Sequence, residues 1–277
     1  KVNPKDFAKR LYDWSHKGFV DLGDRVGMGL GRTTHEILSQ KNFISNPQQT
    51  SHDVWIRRGR KDAPNGAVMR TSILGIHEWW DVDKVEKNAT AICQTTHYDP
   101  RCRASAVAVS VAISIMFQKQ EQQYDVKTRQ YNVNKIIHDV YHRASKYLDE
   151  HNEKQELYQY MSCTDLRYLK LDEEDKMGYT FKCLGAGFWA LKQSDFRSAI
   201  EQLVKEGGDA DTNCAVAGAL LGCKLCRRDA FPQTWLSNLA NRNWLREHIQ
   251  RYLGIHNRMY SDALKDQGSR HNVGSRH

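Results

Sequence analysis

No stretch of this sequence is apolar for the 20 or so residues that a membrane-spanning helix requires. The longest apolar-rich run, Ala104 to Phe117, falls short of that and carries Ser105, Ser110 and Ser114. No charged-then-apolar segment opens the chain, so nothing argues for secretion. A disulfide framework is missing as well: the seven cysteines lie scattered at 93, 102, 163, 183, 214, 223 and 226. An odd count in a chain of this length points to reduced thiols, which makes cytosol or nucleus the expected compartment. Internal repeats are absent, and so is any alternating run strong enough to mark a sheet.

What remains is the composition of an ordinary globular protein. Of 277 residues, 40% are hydrophobic and 27% charged, enough to bury a large core and too apolar for a disordered chain. The net charge of +8 favours phosphate-bearing partners of any kind, whether nucleic acid, nucleotide or lipid headgroup.

Helical periodicity dominates. Asn3-Pro4 reads as an N-cap and first helical residue, followed by Phe7, Leu11 and Trp14 on one face. A Gly-rich bend holds Gly23, Gly27, Gly29 and Gly31, and Thr33 or Thr34 is placed to cap a short helix. Asn65-Gly66 marks a turn; Asp81 caps a helix through Cys93; Asp99-Pro100 starts a central buried helix over Ala104–Phe117. Peripheral helices are predicted near 134–148 and 153–161, core helices near 179–191, 196–204 and 211–221, and a last helical region through Trp235, Trp244 and Leu253. The expectation is an all-α fold: a single multi-helix domain over residues 1–265 and a basic, disordered tail over 266–277.

Three short motifs stand out. Gly207-Gly208-Asp209-Ala210-Asp211-Thr212 gathers two carboxylates and a hydroxyl at the start of a small-residue helix. Alone, this reads first as helix capping, and only second as oxygen ligands for a hard cation such as Mg²⁺. Asn65-Gly66-Ala67-Val68-Met69-Arg70 and Thr96-His97-Tyr98-Asp99-Pro100 read alone as a common turn and a helix junction. Cys223 and Cys226 have zinc-like spacing without a second pair nearby. The basic run Arg57-Arg58-Gly59-Arg60-Lys61 lacks interleaved aromatics and reads as a solvated face.

Taken in order, with Gly27-Met28-Gly29-Leu30-Gly31-Arg32-Thr33-Thr34 ahead of them, these motifs resemble the ADP-ribosylglycohydrolase family from about Asp6 to Trp235. The resemblance implies an all-α enzyme that cleaves ADP-ribose from a protein side chain or a small acceptor, using two divalent cations, Mg²⁺ or Mn²⁺. It makes Asp209, Asp211 and Thr212 metal ligands. Asn65, Gly66 and His97, with Gly29 and Gly31, would line the ADP-ribose pocket, and Arg70 would support the Asn65 turn. The partner it implies is an ADP-ribosylated protein or small ADP-ribose conjugate, with no specific nucleic acid and no membrane, and the chain acting as a monomer. One departure matters. The family's upstream Thr/Ser-Asp-Asp run and its earlier acid–base carboxylate have no counterpart here, and the chain begins just after their place. The chain therefore reads as lacking an N-terminal segment, with no catalytic residue retained and weak or no activity as it stands. The alternative is an inactive ADP-ribose-binding or structural relative.

Overall fold

Polar side chains set five of the helix starts. Asn3 accepts from the Lys5 amide (3.0 Å), Asp81 from Lys84 (3.0 Å), Asp99 from Arg101 (2.9 Å), Asn132 from Lys135 (3.1 Å) and Asp195 from Ser198 (2.7 Å). Each satisfies an amide that the first turn would leave unpaired. The computed structural model describes residues 2–273, the side chains of 228 and 266–273 excepted. The helices are α1 Pro4–Lys17, α2 Arg32–Leu38, α3 Pro47–Arg57, α4 Val68–Thr71, α5 Val82–Cys93, α6 Pro100–Gln118, α7 Val133–Ala144, α8 His151–Ser162, α9 Thr180–Lys192, α10 Phe196–Lys205, α11 Ala210–Leu225, α12 Gln233–Ser237 and α13 Arg242–Val273. The all-α expectation holds.

Helix α6 is buried on nearly every side and forms the centre of the main core together with α9 and α11. Its serines bond backbone rather than interrupt the packing. Ser110 Oγ donates to the Thr71 carbonyl (2.9 Å) and Ser114 Oγ to that of Trp79 (2.8 Å). By length and composition α6 suffices to cross a membrane, beyond what the shorter apolar run implied, but 78% of its apolar window lies buried in the protein. Across the core, α9 and α11 approach closely because small residues face each other. A Cβ on Gly187 would stand 2.7 Å from Val216 Cγ1 and 3.1 Å from Leu220 Cδ1.

Several features depart from the sequence expectation. α3 is too polar to announce itself by periodicity. A two-stranded antiparallel hairpin, β1 Tyr124–Asp125 and β2 Gln130–Tyr131, pairs Tyr124 with Tyr131. α2 begins at Arg32 with Gly31 at its N-cap, one turn ahead of the capping threonines expected. Where one domain over 1–265 is predicted, backbone contacts separate two compact units, Lys1–Pro232 and Gln233–His277. Every candidate site residue belongs to the first. In the second, α13 carries the backbone helically to Val273, into the segment predicted to be a disordered tail; residues 274–277 lie outside the described residues.

The α9–α11 contact gives a direct test of this packing. Gly187→Val should overpack the seam and lower stability by about 1–3 kcal/mol. Gly218→Ala, whose Cβ would meet only Phe196 Cζ at 3.7 Å, should be neutral or stabilise by up to about 1 kcal/mol through helix propensity. Urea midpoints of the two variants would reveal the contrast; equal midpoints would mean that the two helices do not need close approach.

Candidate functional site

The loop entering α11 is shaped by its glycines. Gly207 and Gly208 both have left-handed backbone (φ 71° and 65°), and a Cβ on Gly208 would strike the Leu171 carbonyl. Only glycine fits there. The bend delivers Asp209 to the N-cap position of α11, yet the Asp209 side chain makes no capping hydrogen bond. It accepts from Asn65 Nδ2 at 2.7 Å and meets the side chains of Asp211 and Thr212.

Asn65 is held from both sides. Its amide donates to the Gly178 carbonyl (2.8 Å), and the Thr180 amide donates to Ala63 (2.9 Å), so the turn is stitched to the segment entering α9, with Pro64 bridged to Tyr179. Only 6% of Asn65 is exposed. Behind it, Arg70 donates through Nη1 to the Gly66 carbonyl and through Nη2 to Thr96 Oγ1 (2.6 Å). Thr96 Oγ1 in turn lies 2.8 Å from His97 Nδ1. Assigned from this chain of donors, the Thr96 hydroxyl donates to Nδ1 and the imidazole proton sits on Nε2. That atom faces Gly66, where a Cβ would come within 2.9 Å of it. Burial, then the neighbouring Arg70 cation, holds His97 well below the ordinary 6.5, so it is neutral.

Burial raises Asp209 above the ordinary carboxylate range; the Asn65 amide opposes this and Asp211 adds to it. Asp211 is held low, first by a hydrogen bond from Asp209 and then by the Thr212 amide (2.8 Å). Of the two, Asp209 is therefore the first to take up a proton as pH falls. Thr212 is 8% exposed; its hydroxyl approaches the Met69 sulfur at 3.6 Å, and its side chain also hydrogen-bonds the two carboxylates.

The structure therefore joins Asn65, Gly66 and His97 to Asp209, Asp211 and Thr212 at one place. His97 is 3% exposed and borders a void of about 10 Å³, behind the Gly66 backbone. A Cβ on Gly29 or Gly31 would meet nothing within 4 Å; Gly31 starts α2, whose Thr34 Oγ1 lies 3.7 Å from where a Gly66 Cβ would be. Arg58 is not solvated, since it pairs with Glu36 (2.6 Å) and with Asp62 and donates to Thr33 (2.9 Å).

A cleft of about 550 Å³ reaches the turn through Pro64 and Gly178 and is lined also by Arg32, Lys61, Arg101 and Tyr179. Sequence reasoning missed this wall. Tyr179, which donates to Glu156 (3.1 Å), reads locally as nothing more than a helix start. Arg101 is fixed by buried Asp99 (2.9 Å), which also accepts from Trp55 Nε1 (3.0 Å).

A model of the family described as ADP-ribosylglycohydrolase matches residues 1–264. An uncharacterized protein of Archaeoglobus fulgidus is 26% identical over 262 residues, covering 93% of this chain and 75% of its own length. A protein of Acanthamoeba polyphaga mimivirus, named "Putative ADP-ribosyl glycohydrolase", is 25% identical over 252 residues, covering 84% of this chain and 67% of its own length.

The neutral His97 predicts a pH signature. Its folded value lies below the unfolded one, so the unfolded chain takes up a proton first as pH falls. The stability it contributes is fully present above the ordinary 6.5 and is lost below it, toward the depressed folded value. His97→Asn should flatten the decline in melting temperature between about pH 7 and pH 5. Parallel declines in the two proteins would show that the buried imidazole is not what titrates.

Proposed function

Because the chain belongs to the ADP-ribosylglycohydrolase family, we propose that the Asn65–Asp209 junction is the cation-binding side of a site for ADP-ribose conjugates. On this reading the enzyme hydrolyses the glycosidic bond that links ADP-ribose to a protein side chain or a small acceptor. Membership supports an enzyme of the glycohydrolase kind; the assignment to these residues rests on one observation. Asp209 occupies a capping position and does not cap, reaching instead to Asn65, 144 residues away in sequence. A carboxylate whose only task was to start α11 would bond the amides of its own first turn.

The donor set suits a hard divalent cation. Asp209 and Asp211 offer carboxylate oxygens, and the Thr212 hydroxyl beside them adds a third oxygen of the kind such an ion takes. When bound, such an ion orients ribose hydroxyls and lowers the pKa of a water. Asn65 fixes the direction of Asp209, and its own amide is locked to Gly178, so the carboxylate is aimed before any ligand arrives. Arg70 and neutral His97 hold the Gly66 backbone at a fixed depth. Asp209, Asp211 and Thr212 supply three ligands, few for the two cations that the family implies, which motivates a second reading in which the chain binds ADP-ribose without turning it over.

Calorimetric titration of ADP-ribose with and without Mg²⁺ tests the assignment. Mg²⁺ should tighten binding by about tenfold or more, roughly 1.4 kcal/mol, and Asp209→Asn or Asp211→Asn should remove that gain. Binding that ignores both the ion and the substitutions would sink the placement of the site. Release of free ADP-ribose from a modified peptide, measured on the same protein, separates hydrolysis from binding alone.

A further inference from the structure

The opposite end of α11 carries a feature that the reading above leaves unused. Sixteen residues of helix at 1.5 Å each put it about 24 Å from Asp209. There a cavity of about 830 Å³ is lined by five cations, Lys119, Arg129, Lys192, Lys224 and Arg227, and by no carboxylate. Four separate elements bring them together: the end of α6, the β1–β2 hairpin, the last turn of α9 and the end of α11. Several partly buried cations elsewhere are paired with carboxylates, as in Arg58 with Glu36, Arg101 with Asp99 and Arg143 with Glu86, while buried Arg70 is held by a carbonyl and a hydroxyl. Here, among the described residues, only Arg227 has such a partner, the exposed Asp229 at 3.6 Å.

Helix capping explains part of this. Lys192 Nζ donates to the carbonyls of Met161 (2.9 Å) and Cys163 (2.7 Å), and Lys224 Nζ donates to that of Gln193. These bonds leave both ammonium charges intact and hydrogens to spare. Burial pulls both lysines below their ordinary value, Lys192 to about 8. Capping does not account for Arg129 on the hairpin or for Lys119, whose ammonium lies 5.1 Å from the centre of the Tyr124 ring. Like charges crowded around one hollow repel one another, and a multivalent anion is the ligand that relieves all of them together. The volume is that of a small-molecule pocket. Tyr124 and Tyr131, with ring centres 4.8 Å apart, give it one aromatic wall.

We propose that this basic hollow is a second ligand site, for a small molecule that carries two or more linked phosphates. Inorganic polyphosphate and a nucleoside triphosphate share that chemistry. The proposal does not depend on the reading of the Asp209 site.

The test titrates sodium tripolyphosphate and ATP into the purified chain at low salt without Mg²⁺. Both should bind saturably. Arg129→Glu with Arg227→Glu, both exposed positions, should weaken both ligands at least about tenfold while leaving the melting temperature unchanged, and Asp209→Asn should leave both affinities as they were. Tighter binding of ATP, lost in Tyr124→Ala, identifies a nucleotide site; equal binding of the two ligands identifies a polyphosphate site. The proposal is overturned if neither ligand saturates at millimolar concentration, if the charge reversals change nothing, or if Asp209→Asn abolishes binding. Binding of single-stranded RNA that ATP fails to displace would overturn it too, since the face would then serve nucleic acid.

Discussion

A single hydrogen bond organises the candidate site: Asn65 Nδ2 to Asp209 Oδ2, 2.7 Å long and closing a loop of 144 residues. Its partners are useful only if neither can move. Asn65 is fixed by its own amide on Gly178, and Asp209 by a double-glycine bend seated against Leu171. Loop-closure entropy grows only slowly with length, so a contact this distant in sequence costs little more than a near one once the core has formed. The core that forms it is α6, α9 and α11, and the Asn65 turn and the α11 start are the ends of segments packed on that core. The small residues between α9 and α11 therefore belong to the site as much as the carboxylates do.

The local rules that are readable in the chain were followed where the interaction itself is local. Asn3, Asp81 and Asp99 cap the helices that their positions predict, because a cap involves only the next three residues. Helix α6 follows from its all-round apolar composition. Asp209 looks identical to those caps in sequence and behaves differently, since its partner lies in another part of the chain. The same reason hides the cleft wall: Tyr179 and Arg101 acquire their roles from Glu156 and Asp99 across helix junctions. Arg58 shows the converse, a basic run that reads as surface until Glu36 and Asp62 close on it. What the sequence did carry was the order of the motifs, and the structure brings the Asn65, His97 and Asp209 motifs together. The glycine segment contributes less directly, through the α2 start and Thr34.

The net positive charge is distributed, and its distribution follows α11. The N-terminus of a helix is electropositive and favours carboxylates, and its C-terminus favours cations. Asp209 and Asp211 lie at the first end, Lys224 and Arg227 at the second. The macrodipole contributes only about 0.3–1 kcal/mol per charge near the surface, too little to gather two neighbouring carboxylates or five cations of which, among the described residues, only Arg227 has a carboxylate partner. Each end therefore holds more like charge than the helix alone stabilises.

The sign of that excess separates the two ends. On the proposed reading, Asp209 and Asp211 would meet a diphosphate only through a cation, because two carboxylates repel an anion. A proton would neutralise only one of the pair, whereas a divalent ion would neutralise both and draw on the neighbouring Thr212 hydroxyl as well. The basic hollow needs no such intermediary, as its surplus is itself the complement of linked phosphates. Opposite ends of one buried helix thus select opposite charges, and the distance of about 24 Å between them keeps the fields nearly independent at physiological salt, where screening sets in over about 8 Å.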